Sequence, residues 1–459
     1  MSNPVHECAA AVMILCGVTP LSAAQIGRLA PSIPPVDAPE LAHVGPFAIG
    51  TKVNLFALPA APLLTGPGQW SVAPRTVSVR FWYPAVSAPS ASPMHYSHTI
   101  NARGSRPVQL VIPGIATTDA VPHGGRFPLV LISHGFRGWS EAMSYLGENL
   151  ASKGYVVAAI DHGDPVENDP GALALSFGNV LLQRASDQSA VLRSLLRRSD
   201  GVATMIDPRR IGLIGYSMGG YGALHTAGAA YDPASPTFQQ LPAALRTKLL
   251  AVRPDDTVAA RIRALVTIAP WGGQPSARAW TAASLSRIRA PVLMIDGEDD
   301  DVVDYRHGVR WIYGATTASE RWLLTYEAAR HNVGNNAAPA NLPDFGAVES
   351  QAEPVWRGDR LNAINVHFIT AFLDLTLKND RTRAAYLNVP TVRAIDSVWP
   401  EPIGTAGSGA IAGDAQPMHW RGFQRRWAIG LRLTHQAASA SLGGQVNQGE
   451  AEEQQRNQR

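Results

Sequence analysis

The sequence predicts an α/β fold in which a mainly parallel central sheet carries helices on both faces. Two observations lead there. Short, wholly apolar runs of strand length recur along the chain, as expected of strands buried on both faces. Helix-compatible stretches separate those runs, the alternation that builds parallel sheets. Composition agrees. Of 459 residues, 46% are hydrophobic and 16% charged, which is material for a large core and unlike a disordered chain. Length alone allows one large domain with insertions or two to three smaller ones. No internal repeat is visible.

Ala9 to Val18 is an apolar run, and Ser22-Ala23-Ala24 then supplies small residues. The pattern resembles a secretory signal peptide, although Glu7 and the absence of Lys and Arg from the first eight residues count against it. Residues 1–24 are expected to be an export leader or a disordered segment. The first reading places the protein in the periplasm or outside the cell, the second in the cytoplasm. The run is about half of the ~20 residues that a spanning helix needs, so no transmembrane segment is expected. Cys8 and Cys16 are the two cysteines, so residues beyond 16 have no disulfide, thiolate nucleophile or cysteine-bound metal. Residues 25–44 read as a linker, 45–435 as one catalytic domain, and 436–459, rich in Gln, Glu, Ser and Gly, as a disordered tail.

Residues 25–70 are rich in Pro, Gly and Ala and predict a linker followed by short extended pieces. Thr76 to Tyr83 alternates and is β-prone, a strand ended by Pro84. Residues 85–126 predict a loop or a hairpin excursion. Pro128 to Ser133 (PLVLIS) and Tyr155 to Ile160 (YVVAAI) are buried strands, with a helix over 139–153 stopped by Gly154. Residues 165–183 read as irregular and 184–198 as a helix with Leu192, Leu195 and Leu196 towards the core. Ile211 to Tyr216 is a strand, 218–230 a Gly- and Ala-rich helix, and 231–260 a helical insertion. Further strands are Ala264 to Ala269, Pro291 to Ile295 and Arg321 to Tyr326, with helices over 303–313 and 360–378.

Gly215-Tyr216-Ser217-Met218-Gly219 matches G-x-S-x-G. Five letters carry little information, but this match follows a predicted strand and opens a predicted helix, the context of a nucleophile elbow. A tight turn there strains the Ser backbone, and small residues on either side let neighbouring chains approach. Ser217 is therefore the candidate nucleophile, and the Met218 N–H a candidate oxyanion donor at a helix N-terminus.

On such a scaffold the acid and then the His follow the Ser in chain order. The strand Pro291 to Ile295 leads into Asp296-Gly297-Glu298-Asp299-Asp300-Asp301, and the strand Arg321 to Tyr326 leads into a loop carrying His331. His331 is the candidate base that takes and returns the Ser proton. Its rivals His225, His307 and His367 fall within predicted helices. Asp300, three residues after Gly297, is the first choice for the acid, with Asp301 next and Asp299 third. The acidic run lacks the twelve-residue pattern of a calcium loop, and no metal or other cofactor is expected. Ser133-His134-Gly135-Phe136-Arg137-Gly138 follows the first buried strand, where the Phe136 N–H would be the second oxyanion donor; His134 would shape that loop. Asp161-His162-Gly163-Asp164 would form a loop at the rim. A net charge of +3 with no dense basic cluster argues against nucleic acid as a partner.

The stretches SHGFRG, YVVAAIDHGD, GYSMGGYG, APWGG, DGEDDDVVDY, ARHNVG and NVHFITAFLDL resemble the predicted dienelactone-hydrolase group related to platelet-activating-factor acetylhydrolases. More distantly they resemble bacterial cutinase-like polyester hydrolases. The resemblance runs from about Gly45 to about Leu433, from the early VRFWYP strand to the late WRGFQRRWAIGL segment. It implies an α/β-hydrolase fold with insertions forming a cap or pocket rim, and a serine esterase of small-molecule or lipid-like esters. By that match the triad is Ser217, Asp300 and His331, the oxyanion donors are Phe136 and Met218, and Trp271 is an aromatic near the substrate cleft, with simple packing as its other reading. One departure matters: dienelactone hydrolases use a Cys nucleophile where this chain has Ser217, which favours ordinary esters. The alternatives are an acyltransferase or amidase on the same machinery, or a non-catalytic binding protein. Residues 165–183 and 231–260 are expected to frame the acyl pocket. Oligomeric state is not legible.

Overall fold

The computed structural model describes residues 34–86, 94–102, 107–164, 170–340, 342–399 and 418–439. The leader at 1–24, both cysteines and nearly all of the expected tail lie outside them. Ten strands form one sheet in the order β12-β11-β10-β9-β8-β6-β7-β2-β1-β5. The strands are β1 (Ala48–Gly66), β2 (Gln69–Ala85), β5 (Thr117–Thr118), β6 (Phe127–Ser133), β7 (Val156–Asp161), β8 (Ile206–Tyr216), β9 (Ile262–Ile268), β10 (Val292–Gly297), β11 (Arg321–Tyr326) and β12 (Leu431–Gln436). From β7 across to β11 the pairing is parallel. Every residue of β10 and β11 is buried, which is why these strands read as unbroken apolar runs.

Helices α1 (Ser144–Ser152) and α4 (Gly358–Leu377) pack together on one face, and α2 (Pro170–Arg197) and α3 (Met218–Thr226) on the other. On α2, Leu192 and Leu195 are buried and Leu196 partly so. Short helices fill 236–259. The chain passes from β6 to β7 on one side, then crosses back over β6 to β8 on the other. The loops after β6 and β8 thus part from each other at a topological switch point, where open α/β sheets bind ligands.

The structure departs from the sequence reading at three places. The Pro- and Ala-rich stretch is not a series of short pieces but the long strand β1, antiparallel to β2. Pro59 and Pro62 are tolerated because β1 lies near the sheet edge, paired on its outer side only at Gly50 and Thr51. Residues 170–183, expected to be irregular, are the first half of α2; Gly171 and Gly178 weaken the local signal, and packing restores the helix. The excursion at 85–126 takes the hairpin form of the two expected, with β3 (His95–Ile100) antiparallel to β4 (Val108–Pro113). Gln436, assigned to a disordered tail, ends the antiparallel edge strand β12.

Candidate active site

The site begins at the junction of β8 and α3. Ser217 sits between them at φ 51° and ψ −114°, a strained conformation for a residue with a Cβ, at a cost of about 1–3 kcal/mol. Its neighbours make the turn feasible. A Cβ on Gly215 would lie 2.3 Å from the Gly219 carbonyl oxygen, and one on Gly219 would lie 2.0 Å from that of Ser133. Backbone bonds pin the turn: Ser217 N–H donates to Ile268 O at 2.8 Å, and Ser217 O accepts from Tyr221 N at 3.0 Å and Trp271 N at 3.1 Å.

β10 and β11 lie side by side and aim their C-terminal loops at this turn. His331 Nε2 is 3.1 Å from Ser217 Oγ, and His331 Nδ1 is 2.6 Å from Asp300 Oδ2. With Asp300 ionised, Nδ1 carries the proton and Nε2 accepts from the serine hydroxyl. Asp300 Oδ1 also accepts from Val302 N at 2.8 Å and Val303 N at 3.1 Å. Burial pushes the Asp300 carboxyl up. The hydrogen bond and charge of His331 and the loop N–H groups outweigh it and hold Asp300 below the usual carboxylate range. Asp299 and Asp301 are exposed, and Asp301 pairs with Arg330. Of the three candidate acids, Asp300 is the one brought to His331.

Two supports of His331 escaped the sequence reading. Glu353 accepts from Arg330 N at 3.0 Å and from the N–H groups of Val355 and Trp356. Tyr216 donates its hydroxyl to His331 O at 3.1 Å and sets its ring 5.5 Å from the imidazole. The rival histidines are elsewhere. His307 is exposed beside Asp304, His367 is buried and accepts from Leu41 N, and His225 is buried, stacked 4.0 Å from Tyr231.

Phe136 lies in the loop after β6, where Arg137 takes a positive φ of 56° and donates its N–H to Asp164 Oδ2 at 2.8 Å. Among the described residues, no carbonyl or side chain engages the N–H of Phe136 or of Met218. His134 bonds Gly135 O at 2.7 Å and accepts from His162 N at 3.1 Å, so it shapes this loop. The segment Asp161 to Asp164 is not simply a rim: His162 is buried beneath the loop, between Ser133 Oγ at 2.8 Å and Asp187 Oδ2 at 2.9 Å.

A cleft of about 360 Å³ opens over Ser217 and His331, walled by Phe136, Tyr216, His98 and Trp139. His98, from the β3–β4 hairpin, stacks on Trp139 at 4.2 Å. The described walls come from this hairpin, the loop after β6 and residues 302–351, not from 170–183 or 231–260 as expected. Residues 165–169 lie outside the described residues. The Trp271 ring is buried, edge-on to Phe177 at 5.4 Å and Tyr221 at 5.6 Å, and Phe177 in turn abuts Phe136 at 5.8 Å. Trp271 thus stands behind the wall, with its backbone against the nucleophile turn. Among the described residues, no group of three or more His, Cys, Asp or Glu converges as a metal site would.

Residues 117–236, which span the loop after β6 and the elbow, match the PETase family model, described as PET hydrolase-like. Cutinase 2 of Thermobifida cellulosilytica is 26% identical over 207 residues, 45% of this chain and 61% of that protein. Lipase 1 of Moraxella sp. (strain TA144) is 26% identical over 180 residues, 39% of this chain and 40% of that protein. The bis(hydroxyethyl) terephthalate hydrolase of Streptomyces coelicolor is 37% identical over 103 residues, 22% of this chain and 29% of that protein. The chain spans 50% to 61% of the length of the first cutinases that it matches.

Proposed function

We propose that this chain, an α/β-hydrolase by its sheet, its elbow and its matched segment, is a serine carboxylic-ester hydrolase working through an acyl-enzyme on Ser217. One observation carries the reading: Ser217, on a strained backbone turn at the edge of the cleft, holds its Oγ 3.1 Å from His331 Nε2, whose far nitrogen is held by the buried Asp300. In the acylation step Ser217 Oγ bonds to the ester carbonyl carbon as His331 Nε2 takes its proton. Asp300 keeps the Nδ1 proton in place and stabilises the imidazolium. The Phe136 and Met218 N–H groups receive the oxyanion, each contributing about 3 kcal/mol to the transition state. The oxyanion collapses, the C–O bond to the alcohol breaks, and the alkoxide leaves with the proton from His331. Water, deprotonated by His331, then repeats the sequence on the acyl-enzyme and releases the acid.

The cleft volume suits a small ester or the end of a larger one, with the His98–Trp139 stack as one wall and Trp271 backing Phe136 from behind. The names of the relatives put cutin-like and terephthalate esters among the substrates to try. Paired assays with p-nitrophenyl esters of increasing acyl length and matching anilides test the reading. Ester turnover that falls off with acyl length is expected; faster anilide turnover would reverse the assignment.

A further inference from the structure

Asp296 lies in β10, four residues before Asp300, and is fully buried. Its Oδ1 accepts from Gly297 N at 2.8 Å. Its Oδ2 is buried too, and among the described residues no N–H or hydroxyl donor reaches it. The side-chain neighbour that acts on Asp296 through hydrogen bonding and charge is another carboxyl group, that of Asp300. Two carboxylates in contact away from water repel each other. A proton between them turns the contact into a strong charge-assisted hydrogen bond.

The location of that proton follows from the donors. Asp300 accepts from His331 Nδ1, Val302 N and Val303 N, and three donors favour the ionised form. Asp296 accepts from one. Among the described residues, the other groups around the pair bring no cation to Asp296. Tyr216 approaches from β8, and Tyr305 has its hydroxyl on Thr325 Oγ1 at 2.8 Å. Thr325 is the register partner of Asp296 on β11. Arg432, beyond Tyr305, pairs with Glu298 at 2.7 Å.

We propose that Asp296 is a positioning residue for this site: carried as the neutral acid, it donates a hydrogen bond to the Asp300 carboxylate that holds His331. The inference rests on the ester-hydrolase reading above. Burial, followed by the charge of Asp300, pushes the Asp296 carboxyl well above its ordinary range, in the same sense. Asp300 then meets the imidazolium with a donor already in place, so the Nδ1 proton stays on His331.

The test is the pH profile of kcat/KM for p-nitrophenyl acetate. Asp296→Asn is neutral, can still accept from Gly297 N and can donate its amide to Asp300. Its acid-limb midpoint should match that of the unaltered protein, with kcat changed by no more than a few fold. Asp296→Ala removes the donor. Its kcat should fall roughly tenfold with KM little changed, and its midpoint should rise because Asp300 becomes the stronger partner for His331. If Asp296→Asn lowers the midpoint by about a unit or more, Asp296 was ionised and the proposal fails; an unchanged kcat and midpoint in Asp296→Ala also overturns it. Should the Ala variant not fold, the Asn profile decides alone. Fluorophosphonate labelling of the unaltered protein separates the two levels. An adduct on Ser217 alongside a failed Asp296→Asn result sinks this inference only, and no adduct sinks the reading of the site beneath it.

Discussion

Ser217, His331 and Asp300 are joined by contacts of 3.1 and 2.6 Å, while one strand away Ser133, His162 and Asp187 are joined in the same order at 2.8 and 2.9 Å. Ser133 is even the register partner of Gly215 in the elbow. The two chains differ in everything but connectivity. Ser217 and His331 border the cleft, whereas Ser133 has no exposed surface. Ser217 is held at positive φ before a helix; Ser133 ends an ordinary strand. Asp300 keeps its charge by accepting several hydrogen bonds. Asp187 is pushed up to about 6 by burial, in spite of Arg75 at 2.7 Å. His162 falls well below its ordinary range through burial, reinforced by Arg184. The comparison teaches that a Ser–His–Asp relay is not in itself a nucleophile. On the proposed reading, access, a strained turn and N–H groups unengaged among the described residues set the Ser217 chain apart, while the Ser133 chain, buried at the end of an ordinary strand, acts as a brace under the loop of Phe136.

Substitutions that treat the two chains alike should break the symmetry. The largest effect is expected at the serines: Ser217→Ala should cut kcat/KM by about 10⁴- to 10⁶-fold, and Ser133→Ala should leave it within a few fold. At the acids, Asp300→Asn should lower kcat by about 10⁴-fold without unfolding the protein. Asp187→Asn should act mainly on stability, by about 3 kcal/mol in urea unfolding, because it strips Arg75 and His162 of a buried partner. A comparable activity loss from both acid variants would mean that the brace takes part in the chemistry.

Acid sharpens the contrast further, because burial depresses the imidazoles of His225 and His367 to about 3. Between that value and about 6.5 the unfolded chain binds protons that the native state refuses, so stability is lost as pH falls below about 6.5. Each such group costs about 2 kcal/mol at pH 5. His225→Phe, which retains a ring against Tyr231, should lose about 2 kcal/mol less than the unaltered protein between pH 7 and pH 5 in denaturant titrations. The smallest effect is expected from Ser133→Ala on stability, about 1 kcal/mol for one hydrogen bond.

What the sequence revealed tracks how local the signal is. The parallel strands were legible because burial on both faces leaves only apolar residues, as in PVLMI and RWLLTY. The elbow was legible because sterics demand glycine at 215 and 219. The loops of Asp300 and His331 were legible through chain order, and the spacing from Gly297 ranked Asp300 ahead of Asp301 and Asp299, but the contact that separates the three depends on which side chain turns inward. β1 was hidden by its prolines, and the start of α2 by Gly171 and Gly178. The hairpin wall of the cleft, the Glu353 clamp on the His331 loop and the Ser133–His162–Asp187 brace join residues far apart in sequence. Each of those residue types has an ordinary use elsewhere, so nothing local marks them.

The most direct measurement is peptide mapping after reaction with a fluorophosphonate, with both serines in one sample as each other's control. A stoichiometric adduct on Ser217, none on Ser133, and loss of ester turnover in step with labelling are expected. An adduct on Ser133 or any other serine, or full labelling of Ser217 with ester turnover intact, would contradict Ser217 as the nucleophile.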